Sequence, residues 1–197
     1  MKQLNVLLVG VGGQGILTTA AILGRAALKA GVNVVTAETH GMAQRGGSVE
    51  VHVRFGEVYS PLIPIGGADI VVSLEPVEAA RYARYLNRES LVLLNSRSVI
   101  PPLVSSGLAR YPSMEEIVSS LREIAGRVIV VEASKIAEEV TGGIQATNVV
   151  VIGMLAGLVE LPFSLEAIEE ALKEVLPERL HQQNLKALKA GYESMKA

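Results

Sequence analysis

The chain has 197 residues, of which 49% are hydrophobic and 19% charged, and its net charge is −2. That is enough apolar length for one substantial core and too little charge for disorder, and without a long basic block there is no electrostatic footprint for nucleic acid. Cysteine is absent, which excludes disulfides, cysteine-ligated zinc and ordinary iron–sulfur clusters in this chain.

Residues 4–9 form an apolar run rich in branched side chains. The run is too short for a signal-peptide core and reads as a buried strand. A glycine turn follows, Gly10-Val11-Gly12-Gly13-Gln14-Gly15, and then an alanine-rich helix over 16–29. Gly10, Gly12 and Gly15 fit G-x-G-x-x-G between strand and helix, the context in which that spacing has meaning. The first glycine permits the turn, the second lets a ligand approach the backbone, and the third lets helix and strand pack closely. The helix then turns its unpaired N–H groups towards whatever lies over the turn, which suits an anion. The competing reading is that the glycines serve close packing alone. Gly13 and Gln14 are extra to the plain dinucleotide pattern.

Gly31 is a helix stop, and 32–37 reads as a second strand, giving a right-handed βαβ unit. Glu38 then stands where a dinucleotide fold places the acid that grips ribose hydroxyls. The chain departs from that fold at His40-Gly41-Met42-Ala43-Gln44-Arg45-Gly46-Gly47. Residues 48–54 alternate strictly, with Val49, Val51 and Val53 on one side and Glu50, His52 and Arg54 on the other. This predicts a strand with one wet face, antiparallel or at an edge. Pro61, Pro64 and Gly66-Gly67 mark a loop.

Residues 70–74 read as a buried strand running into Glu75-Pro76, with proline at a favoured first helical position. Ala79, Tyr82, Ala83 and Leu86 form that helix's inner stripe. Residues 91–94 are another strand, broken by Pro101-Pro102. Ser113-x-x-Glu116 is a capping box for a helix with Ile117, Leu121 and Ile124 inward and Gly126 at its end. Residues 128–131 are the last strand. Thr147-Asn148 caps the apolar helix 149–159, which is too short to span a bilayer. Ser164 caps a helix with Leu165, Ile168, Leu172 and Val175 inward, and Pro177 separates it from a final helix carrying Leu185, Leu188, Tyr192 and Met195. The expected fold is α/β, a Rossmann-like, mostly parallel sheet with helices on both faces and an antiparallel excursion near residues 48–60. The expected location is cytoplasmic, with no membrane and no nucleic-acid partner.

Both polar loops follow strands, so they should share one sheet edge, where ligands gather in open α/β sheets. Arg45 can clamp a phosphate or carboxylate, and His40 can titrate or donate a hydrogen bond. Each has a plain alternative, a surface salt bridge for Arg45 and a loop cap for His40. Glu75 and Glu132 each follow a strand and are cleft residues, helix caps or solvated strand ends. Asn148 is a cap of the buried helix, and Arg97 and Lys135 are further cations that can meet an anion. There is no G-x-S-x-G, cysteine nucleophile or P-loop lysine, and the three histidines are scattered, so neither a catalytic set nor a metal site stands out.

Gly10-Val-Gly-Gly-Gln-Gly-Ile16 followed by His40-Gly-Met-Ala-Gln-Arg-Gly-Gly-Ser48 resembles the small, gamma-type subunits of the 2-oxoacid:ferredoxin oxidoreductases. Gly-Ala-Asp69 with Glu75-Pro76, and Ala146-Thr-Asn148, also fit. The resemblance runs nearly end to end, which implies that residues 1–197 are a single gamma-type domain. It also implies oxidative decarboxylation of a 2-oxoacid with coenzyme A, giving acyl-CoA, carbon dioxide and reduced ferredoxin. Thiamine diphosphate, magnesium and iron–sulfur clusters would then sit on a larger alpha chain in an α2β2 complex, with none held by this chain. Gly10, Gly12, Gly13, Gln14 and Gly15, with His40, Gln44, Arg45, Gly46 and Gly47, would face the substrate and coenzyme A channel or the partner. Glu38, Glu75 and Asn148 are weaker candidates. Two other classes remain open at this point, a freestanding NAD(P)-dependent oxidoreductase and a non-catalytic nucleotide-binding module.

Overall fold

The computed structural model describes residues 3–40 and 47–196. Among them are the strands β1 (Leu4–Val11), β2 (Val34–His40), β3 (Ser48–Phe55), β4 (Ile70–Ser73), β5 (Leu91–Asn95) and β6 (Arg127–Val131). They form one sheet in the order β2-β3-β1-β4-β5-β6. β1, β4, β5 and β6 pair in parallel, while β3 lies antiparallel between β1 and β2. All strands but β3 therefore run the same way.

Both faces of β1 are covered, as its unbroken apolar run requires. Val6 and Leu8 point to one core, which is completed by α1 (Ile16–Lys29), α5 (Ala133–Thr141), α6 (Thr147–Leu158), α7 (Leu165–Val175) and α8 (His181–Ser194). Leu7 and Val9 point to the other, which is covered by α2 (Pro76–Arg81) and α4 (Met114–Arg122). The single turn α3 (Pro102–Ser105) buries no residue. α6 is apolar all round because it is enclosed. Its face towards α8 is so close that a Cβ on Gly153 would run into the Leu188 carbonyl.

The local signals for helix ends hold. α4 carries the full capping box between Ser113 and Glu116, the Ser164 side chain accepts from the Ala167 N–H, and Gly31 follows α1 with φ +71°. Ile124 is not inward, however. It lies beyond α4 and is 40% exposed. Helix α5 is an addition to the elements read from the sequence; its inward residues Ala133, Ser134 and Ala137 are small, although the segment is amphipathic.

The main correction concerns β3. It is antiparallel as expected, but it is neither an edge strand nor half wet. It separates β1 from β2, so the βαβ unit joins parallel strands that are not neighbours. Glu50, His52 and Arg54 are only 7%, 0% and 9% exposed. The segment after β3 folds back over them. Arg54 donates to Asn5 Oδ1 (2.8 Å) and to the carbonyls of Ser60 and Leu62 (2.7 and 3.0 Å). The N–H of Ile63 donates to His52 Nδ1 (3.1 Å), and Tyr85 packs edge-on against the ring. Glu50 lies between His52 (3.7 Å) and Arg84 (3.8 Å). A polar face that reads as solvent-facing in the strand is thus a buried ladder under a loop.

Because Nδ1 accepts, neutral His52 carries its proton on Nε2, which has no hydrogen-bond partner among the described residues. Burial holds its pKa below the ordinary imidazole value, against the pull of Glu50 and with help from Arg84 and Arg54. The unfolded chain then binds a proton that the folded one refuses, so stability rises with pH and is lost as pH falls below about 6.5. We predict that the thermal midpoint drops between about pH 7 and about pH 5 and that His52→Asn, whose Oδ1 can replace Nδ1 as acceptor, flattens that drop. An unchanged slope in the variant would contradict the assignment.

Candidate functional site

β1 delivers the chain into the glycine turn. Gly13 (φ +98°) and Gly15 (φ +81°) occupy the left-handed region, which side chains resist. A Cβ on Gly10 would stand 2.7 Å from Gln14 Oε1. That contact reveals what Gln14 does. Its Oε1 accepts from the Val11 N–H (2.9 Å), and its Nε2 donates to the Leu74 carbonyl (3.0 Å). The side chain is folded back as a brace between the ends of β1 and β4.

Gly47 is brought to the same turn, where its carbonyl accepts from the Gly12 N–H (2.8 Å). The β2 end at His40 pairs with Val49, beside the β1 end, where Val11 pairs with Ser48. The two ends of the second polar loop, His40 and Gly47, therefore lie at the same sheet edge as the glycine turn. Gln44, Arg45, Gly46 and the His40 side chain lie outside the described residues.

Asn148 does not cap α6, which begins after Ala146 with no side-chain cap. Its Nδ2 donates instead to the Gly15 carbonyl (3.4 Å), joining the start of α6 to the start of α1. Thr147 turns its hydroxyl to the Ile144 carbonyl (2.7 Å). Glu75 does act as a cap, accepting from the Glu78 N–H (3.1 Å), and it also accepts from the Val99 N–H (3.2 Å) and the Tyr111 hydroxyl. Burial and that bond push the Tyr111 pKa far above the ordinary phenol value. Glu75 thereby fixes the segment after β5 from which Arg97 reaches the site. Glu132 instead pairs on the surface with Lys135 (3.6 Å).

Two adjoining clefts open here, and Gly13, Gln14 and Gln145 line both. The larger, about 400 Å³, runs from Gly15 and Thr18 past Asn148 to Gln183 and Asn184. The smaller, about 240 Å³, is bounded by Leu74, Arg97, Val99, Ser134 and Thr147. They lie outside the carboxyl ends of β1, β4 and β5, where the chain order reverses, the usual ligand position in an open α/β sheet. α1 starts here with no side-chain cap and no acid in its first turn, so its positive end is uncompensated. Among the described residues, Arg97 is the one charged side chain in the two linings. The arrangement suits a ligand with neutral hydrogen-bonding groups and an anionic part.

It does not suit a plain dinucleotide. The Gly12 N–H is taken by Gly47, and Glu38, on the edge strand β2, is level with Val51 and Leu8, short of the strand ends and two strands from β1, or roughly 10 Å away. Nor do the described residues of the clefts offer a ligand set for a metal. The chain has no thiolate, and among the described residues no three His, Asp or Glu side chains converge. The sequence reading passed over Asn95, Ser134 and Gln145. For Asn95 the available signal was the one that flagged Glu75, a polar residue at the end of a buried strand; Ser134, inside α5, and Gln145, just before α6, carry no such signal.

The family described as pyruvate ferredoxin/flavodoxin oxidoreductase matches residues 5–194. An indolepyruvate oxidoreductase subunit IorB from Archaeoglobus fulgidus is 59% identical over 96% of this chain and 94% of its own length. The keto/oxoacid ferredoxin oxidoreductase gamma subunit from Geobacter sulfurreducens shares the fold, with TM-score 0.70, 22% identity and 98% of each chain covered. So does 2-oxoglutarate:ferredoxin oxidoreductase from Magnetococcus marinus, with TM-score 0.74 and 19% identity. There this fold spans 31% of a longer chain, in a structure with 2-oxoglutarate, coenzyme A and succinyl-CoA bound. The fold is a mixed α/β sheet domain, the one that the Geobacter sulfurreducens gamma subunit also has. The chain belongs to the pyruvate ferredoxin/flavodoxin oxidoreductase family.

The turn geometry can be tested by two alanines. Gly13→Ala meets open space and should cost only the left-handed strain, about 1–2 kcal/mol. Gly15→Ala adds a Cβ 2.8 Å from Asn148 Nδ2 and should cost more. In an Asn148→Ala background that excess should shrink in denaturant unfolding; an excess that persists would place the strain elsewhere.

Proposed function

We propose that this chain is the small subunit of an indolepyruvate ferredoxin oxidoreductase. The observation that carries this reading is its 59% identity, over 96% of the chain, to a subunit so named. In the reaction an aryl pyruvate loses its carboxyl group as carbon dioxide, the remaining acyl group passes to the coenzyme A sulfur, and the electron pair goes to ferredoxin. Thiamine diphosphate with magnesium, and iron–sulfur clusters, belong to a larger alpha chain in an α2β2 complex in the cytoplasm.

This chain contributes one wall of the substrate and coenzyme A channel, and its cleft is the coenzyme A side. The glycine turn, held open by Gln14, presents the first-turn amides of α1 to the cleft. His40, Gln44, Arg45, Gly46 and Gly47 serve the same channel or the partner, with Arg45 steadying a coenzyme A phosphate or a substrate carboxylate. Arg97 adds a second positive charge at the cleft. The neutral amides around Asn148 meet the uncharged part of the ligand.

The test is oxygen-free purification from the native cells. A stoichiometric larger chain with iron–sulfur absorbance should accompany this one, and the pair should reduce an acceptor with indolepyruvate only when coenzyme A is present. In that complex Arg45→Ala should raise a KM without preventing assembly. A chain that purifies alone and colourless and binds NAD(P)H would overturn the reading.

A further inference from the structure

Asn95 ends β5 and is 1% exposed. Its Nδ2 donates to the Leu74 carbonyl (3.2 Å) and to Ser134 Oγ (3.1 Å), and its Oδ1 accepts from the Ser134 N–H (3.3 Å). Both donor hydrogens and one acceptor site are therefore used inside the protein. The Leu74 carbonyl is the same one that receives Gln14 Nε2. One oxygen is thus shared by the amide that braces the glycine turn and the amide that anchors the start of α5. From Ser134 Oγ the contacts continue to Thr147 Oγ1 (3.3 Å), and the next residue, Asn148, returns to the Gly15 carbonyl. The belt leaves the glycine turn through Gln14 and comes back to it through Asn148. Gln14, Leu74, Ser134 and Thr147 line the smaller cleft, and Asn95 lies beneath them.

We propose that Asn95 is a positioning residue for this cleft: acting through the Leu74 carbonyl and Gln14, it sets the distance between the glycine turn and the starts of α5 and α6. It touches no ligand itself. Asparagine is required because two donors must diverge in one plane, towards Leu74 and towards Ser134, while a third bond is accepted from the α5 backbone. The inference rests on the reading of the cleft as the coenzyme A side of the reaction.

The test is a double-mutant cycle in the assembled complex, with indolepyruvate and coenzyme A as the substrates varied. Asn95→Ala should raise the KM for coenzyme A about tenfold, the equivalent of one lost hydrogen bond. The KM for the oxoacid and kcat should stay within about twofold. In a Gln14→Ala background the same change should add nothing further, because the brace it serves is already gone. If Asn95→Ala prevents assembly, Asn95→Ser, which keeps one donor, takes its place with a smaller increase of the same kind. Loss of thermal stability with an unchanged KM for coenzyme A, or effects of the two substitutions that multiply, would overturn the proposal. If Gln14→Ala raises that KM and Asn95→Ala does not, this inference alone falls. If Gln14→Ala leaves it unchanged, the assignment of the cleft to coenzyme A falls with it.

Discussion

The Leu74 carbonyl, at the end of β4, receives two side-chain amides, one from the glycine turn and one from β5. Much of the upper edge of the sheet depends on that convergence. A glycine turn without side chains has little to hold its shape. In a dinucleotide fold the ligand completes it, whereas here Gln14 does so from within, bonding Val11 behind it and Leu74 across from it. The extra Gly13-Gln14 pair is the local price of a turn shaped before any ligand arrives. Preorganisation of this kind lowers the ordering cost of binding.

The same logic explains why β3 sits where it does. Inserting an antiparallel strand between β1 and β2 moves Glu38 away from the turn and brings the Gly47 carbonyl onto the Gly12 N–H. Two features of a dinucleotide site are lost together, the acid at the second strand and a free turn amide. What remains is the part common to open α/β sheets, a cleft at the reversal of strand order with a helix start facing it. The fold keeps the place of a nucleotide site and changes its chemistry.

Much of this was legible in the residues. The apolar run of β1, the glycines and the alanine-rich helix placed the first three elements, and α1 has the bounds its sequence predicts. Capping residues placed α4 and α7 for the same local reasons. The location of β3 was not legible. Alternation reports which side chains share a face, but not what covers that face, and the cover over Glu50, His52 and Arg54 comes from the segment that folds back after β3 and from Tyr85. The residues around Asn148 in sequence suggest a cap; its partner, Gly15, is far away along the chain. Asn95 looks like an ordinary strand terminator until Leu74, Gln14 and Ser134 are seen around it. The paired loops carried the family resemblance, and the family match extends over the same residues and nearly the whole chain.

The central claim is that the cleft between the glycine turn and the start of α6 is the coenzyme A wall of a larger enzyme. Backbone hydrogen exchange in the assembled complex, with and without coenzyme A, tests it most directly. The account predicts slowed exchange at residues 13–18 and 145–149 when coenzyme A is added, with α4, on the other face of the sheet, unchanged. Protection that leaves both cleft segments untouched would contradict it.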